Sequence, residues 1–137
     1  MPFDLNVLNA PVPDAILSSI AGNAPSRVKA TAVKWITVYR APRHCFTTLA
    51  SSQQTVREVS LHPDPMQEGR VLTLVCELNV IEEMLDSRND LSTPFLVAVI
   101  DEYASAAVAA LNMAEGGSGS SGVSLSLNTV FYNTVQR

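Results

Sequence analysis

Residues 91–113 read LSTPFLVAVIDEYASAAVAALNM, a long apolar run broken near its middle by Asp101 and Glu102. Ser92-Thr93-Pro94 opens it as a helix start: a hydroxyl able to cap, then a proline in the first turn, where no N–H is needed. The spacing predicts one helix over Phe95–Met113, stopped by Gly116-Gly117. At about 100° per residue, Asp101, Ser105 and Asn112 share one narrow polar stripe. A helix apolar on nearly all its other sides is expected to be buried on nearly all sides. Its length and composition also suit a membrane, but two adjacent carboxylates at mid-span would cost several kcal/mol there. We therefore expect no membrane span, only the core helix of a soluble protein.

Working outward, residues 117–122 form a Gly-Ser loop, and Val123–Tyr132 alternates as a strand. Val123, Leu125, Leu127, Thr129 and Phe131 suit its core face. On the N-terminal side, Thr55–His62 and Arg70–Val80 read as two strands around the turn-rich His62-Pro63-Asp64-Pro65. They are expected to pair as a hairpin, with Leu72, Leu74, Cys76 and Leu78 on the apolar side. Residues 82–90 make a charged connection, and residues 43–54 fit no period. A helix from Ser26 to about Arg40 carries Val28, Ala32, Trp35, Ile36 and Tyr39 on one face. A short helix runs from Asp14 to Ile20, behind an extended lead with Pro2, Pro11 and Pro13.

The 137 residues leave room for one domain, and 47% hydrophobic with 16% charged residues marks a globular chain. The net charge of −4 argues against nucleic-acid binding, which needs a basic face. Cys45 and Cys76 do not make a disulfide framework, a CxxC pair or a zinc set, so neither metal nor cofactor is expected. The first 26 residues contain no Lys or Arg, hence no secretory or organelle leader is expected. The expected location is intracellular, the cytoplasm ahead of the mitochondrion.

Asp101 needs explaining, because a carboxylate inside an apolar helix costs free energy unless paired, solvated or placed at a site. Two readings stay open: the Asp101-Glu102 pair marks a solvent or subunit boundary, or Asp101 is a general base or acid in a partly apolar cleft. The N–H groups of Thr93 and Phe95 at the helix start can hold an oxyanion. His44 and His62 read as loop or surface residues, and the sequence has no GxSxG elbow, P-loop or GxGxxG.

Gly69–Val80, Leu91–Asp101 and Gly122–Asn128, in the order hairpin, long helix, small-residue loop, strand, resemble the small single-hotdog acyl-coenzyme A thioesterases of the phenylacetate-pathway and acyl-coenzyme A thioesterase 13 type. The resemblance covers about residues 55–134. It implies an α+β hotdog fold, an antiparallel sheet wrapped around the long helix, with residues 1–54 as a lead and N-terminal helices and 55–137 as a partial hotdog domain. It implies acyl-CoA as substrate and a homo-oligomer with the site between subunits. A Leu-His-Gly-Gly stretch opens the helix in that family; here Ser92, Thr93 and Pro94 occupy the last three positions. The family's Asp, nine residues after the His, falls on Asp101 and would activate water or attack. The Thr93 N–H takes the oxyanion role, Ser124 matches a serine that places the water, and Asp86 stands where the family often has Asn. Ser92, Asp86 and, on the Asp101 stripe, Ser105 are expected to line the substrate. The family continues for about three more strands, so the chain reads as C-terminally truncated or completed by another chain through strand addition or swapping. Loss of the His-Gly-Gly opens an alternative, a vestigial hotdog that binds an acyl thioester or a partner without turnover. A dehydratase-type hotdog would keep a His near the helix start, where this sequence has none.

Overall fold

The computed structural model describes residues 5–38, 46–66 and 68–133. After a 3-10 turn at Leu5–Leu8 come helices α1 (Asp14–Ser19), α2 (Ser26–Val38) and α3 (Phe46–Ser52), strands β1 (Gln54–Pro63) and β2 (Arg70–Leu78), a 3-10 turn at Glu82–Met84, and helix α4 (Thr93–Ala114). The architecture is α+β, with a two-stranded antiparallel sheet and a long C-terminal helix.

The expected hairpin forms, with Val59 opposite Leu74 and Leu61 opposite Leu72. Its register shifts between Val56 and Glu58, a bulge that turns both Val56 and Val59 into the core. The outer edge of β1 is partly covered by residues 21–24. Ala21 N–H donates to the Arg57 carbonyl at 2.8 Å, and Val59 N–H returns a bond to Ala21 at 3.0 Å. Gly22 beside them has φ +93°, and any Cβ there would strike the Val59 carbonyl, so only glycine fits this approach.

The main core is a seam between α2 and α4. Val28, Ala32 and Ile36 recur every fourth residue on α2, and Ala106, Ala110 and Ala114 do so on α4. Alanines let the two backbones come close, and Leu72, Leu74 and Cys76 of β2 close the cluster from the sheet side. A second cluster holds Met84, Leu91, Phe95 and Val99, with Leu49 of α3 against it. The helix in the ambiguous 43–54 region and the burial of Met84 in the charged connection both follow from this cluster, which no local period announces.

Two expectations change. First, α4 is not buried on nearly all sides. Ile100 and Val108 are 37% and 51% exposed, and 33% of its most apolar stretch is buried. It is the one helix among the described residues long and apolar enough to cross a membrane, yet one face of it is a protein core. Second, Val123–Phe131 has no regular secondary structure and joins no sheet, and Tyr132 lies in a bend. Leu125 is 97% exposed and Val123 87%, so the expected core face of that strand is uncovered. The reason is placement: the segment runs beside Pro94, Val97 and Asp101, whereas β2 packs on the Ala106 and Ala110 side of the same helix. Without a neighbouring strand, alternation alone makes no ladder. Tyr39, His44 and Cys45 lie outside the described residues.

Candidate functional site

The open side of α4 is where the central pair of expected site residues lies. Asp101 lines a cleft of about 450 Å³ formed with Val97, Ala98, Ser124 and Leu127. Ser124 Oγ donates to Asp101 Oδ1 at 2.6 Å, joining two residues 23 apart in sequence. The loop between them is held by the Asn112 side chain, whose Oδ1 accepts from Gly119 N–H at 2.8 Å. Trp35 Nε1 donates to the Gly119 carbonyl at 2.8 Å, tying the same loop to α2. Thus Gly119, with φ +78°, is the anchor from which the 123–133 segment leaves along α4. The stripe residue Ser105 is half-buried on the same helix one turn beyond Asp101.

The start of α4 borders a different cleft. Thr93, Asp86, Leu96 and Phe131 line about 170 Å³ there. Ser92 occupies the N-cap position with φ −57° and ψ 125°, but its hydroxyl makes no capping hydrogen bond. Its N–H donates to the Met84 carbonyl at 2.9 Å instead, so the helix start is fixed by the preceding loop. Asp86 organises that loop: Oδ1 accepts from the N–H groups of Arg88 at 2.8 Å and Asp90 at 3.2 Å. The Arg88 backbone bond is the largest cause holding the Asp86 carboxyl below its ordinary value. A carboxylate so committed is a loop anchor and a weak proton acceptor. Within one chain, therefore, Asp101 and Ser124 come together, while Thr93 and Asp86 line a separate cleft with Ser92 next to it.

The neighbour of Asp101 has the opposite surroundings. Glu102 is 4% exposed, on the core side of α4. Its Oε2 accepts from Gln54 Nε2 at 3.1 Å, and its Oε1 has no hydrogen-bond partner among the described residues. Burial pushes its carboxyl up to about 7, against the opposing Gln54 bond and with a smaller push from Asp101. Tyr103, half-buried beside it, has its phenol raised by burial first and then by Cys76 and Glu102. Burial likewise raises the Cys76 thiol to about 11, which makes it an unreactive hydrophobe. This Gln54–Glu102–Tyr103–Cys76 group was hidden in the sequence, because helical phase assigns Glu102 to the same apolar face as Phe95 and Ala106 with nothing to show its Gln54 partner.

His62 is exposed at the end of β1, as its proline neighbour suggested. Among the described residues no group of three or more His, Cys, Asp or Glu is placed to hold a metal ion. No protein-family model, curated protein or solved structure matches the chain.

Proposed function

We propose that the chain is an acyl-coenzyme A thioesterase of hotdog type, with Asp101 as general base. The observation that carries this reading is the 2.6 Å hydrogen bond from Ser124 to Asp101 in an open cleft, since the family resemblance gives Asp101 the activation of water and Ser124 its placement. The Ser124 hydroxyl occupies Oδ1 and orients the carboxylate, leaving Oδ2 to take a proton from water. The water oxygen then adds to the thioester carbonyl carbon, and the resulting oxyanion accepts from a backbone N–H at a helix start. Collapse breaks the C–S bond, and the thiolate leaves with the proton returned from Asp101.

Thr93 supplies that N–H in this reading, but from a second copy, since Asp101 and Thr93 of one chain line separate clefts. A homo-oligomer follows from the proposal. The uncovered alternation of residues 123–132 offers it an apolar surface.

The second reading, binding of an acyl thioester without turnover, is favoured by Pro94 and by the Thr93 side chain at the helix start, where a close approach to a carbonyl would suit glycine. Thiol release from acyl-CoA distinguishes the two. Sustained turnover that Ser124→Ala slows and Asp101→Asn lowers by at least about 100-fold supports hydrolysis. Saturable acyl-CoA binding by a folded chain without turnover supports the second reading.

A further inference from the structure

We propose that a second cleft, between the N-terminal arm, α2 and the start of β1, binds an amphipathic monocarboxylate through Lys34. Its volume is about 530 Å³, inside the range of about 300–1,000 Å³ typical of small-molecule sites. Val12 and Ile16 wall it on one side, Val33 and Ile36 of α2 on another, and Val56 of β1 closes it. This is an apolar body of the kind that accepts an aliphatic or aryl chain.

Among the described residues of the lining, Lys34 is the single charged one, with no Asp or Glu beside it. Its side chain is half-buried, and Nζ donates to the Leu8 carbonyl at 2.9 Å, which holds the arm in place. An ammonium has three donors, so this bond leaves capacity for a ligand. No Asp or Glu among the described residues pairs with it. A half-buried cation beside apolar walls, with no ion-pair partner among the described residues, is a mismatch that a carboxylate with a hydrophobic tail removes. A cation would be repelled, and a neutral chain would leave the charge uncompensated. The cleft shares no lining residue with the Asp101 cleft, so binding here does not depend on thioester hydrolysis there.

The test is titration of the full chain with decanoate and with decanol, followed by the methyl NMR signals of Val33, Ile36 and Val56. The expected result is one saturable site that prefers decanoate by about tenfold or more, as a charge-assisted hydrogen bond supplies. Lys34→Gln keeps a donor for Leu8 but removes the charge, and should erase the preference. Lys34→Arg should retain it, and Ile16→Trp, which fills the cleft, should abolish binding of both probes. Equal affinity for the two probes, an unchanged preference in folded Lys34→Gln, or no saturable binding by the folded wild-type chain would each overturn the proposal. Should Lys34→Gln fail to fold, the wild-type preference together with Lys34→Arg and Ile16→Trp decides the matter by the same criteria.

Discussion

Asp101 and Glu102 are consecutive carboxylates on α4, and the helix turns them into opposite surroundings. Glu102 faces the core among buried residues and finds one amide partner. Asp101 faces an open cleft and is met by a hydroxyl from a segment that belongs to no sheet. A rotation of about 100° per residue is enough to separate them. One helix thus has two unlike faces: one packs in the core against α2 and β2, and the other carries Asp101 beside an open cleft.

The largest contrast should come from truncating one side chain on each face. Phe95 is 1% exposed and anchors the second cluster, so Phe95→Ala should cost about 3–5 kcal/mol in denaturant unfolding. Val108, 51% exposed, should lose no more than about 1 kcal/mol on change to Ala. Equal losses would end the two-face description.

Next is pH. Folding raises the Glu102 carboxyl from 4.5 to about 7, so the folded state binds its proton more tightly than the unfolded chain does. The associated stability is fully present below pH 4.5 and lost as pH rises through about 7. One pH unit between folded and unfolded values is worth about 1.4 kcal/mol, which makes the loss on the order of 3 kcal/mol. Glu102→Gln should flatten this step and be more stable than wild type at about pH 8, where the wild-type carboxyl is ionised in its buried place. A step that persists in Glu102→Gln would assign it to another group.

A smaller effect is expected at the covered edge of β1. Gly22→Ala must move the Val59 carbonyl or give up φ +93°, at a cost of about 1–3 kcal/mol. The smallest concerns the end of α4. Arg70 Nε pairs with Glu115 at 2.8 Å, and its Nη2 donates to the Ala114 carbonyl, largely at the surface. Arg70→Ala should lower the unfolding free energy by about 1 kcal/mol or less, an effect that added salt partly masks.

Much of the frame was legible in the sequence because it rests on local periods. Helices α1, α2 and α4, both strands and their pairing follow from the positions of apolar residues, proline and glycine. What was not legible depended on tertiary partners. Nothing local marks α3 as helical or Met84 as buried; the second cluster does that. The segment Val123–Tyr132 shows the converse, since its period is that of a strand but a ladder needs a neighbour, and β2 packs on another side of the helix. At the site, Asp101 stood out as a carboxylate in an apolar helix and Ser124 entered only through the family resemblance; their hydrogen bond was not legible, and Glu102 drew no separate attention. Its hydrogen-bond donor, Gln54, lies 48 residues earlier in the chain.

The most direct test sets the two carboxylates against each other in one assay: thiol release from acyl-CoA by wild type, Asp101→Asn and Glu102→Gln, with folding of each checked by far-UV circular dichroism. The account predicts turnover in wild type, retained in Glu102→Gln and lost in a folded Asp101→Asn. Turnover that survives Asp101→Asn, or no turnover from the folded wild-type chain, would contradict it.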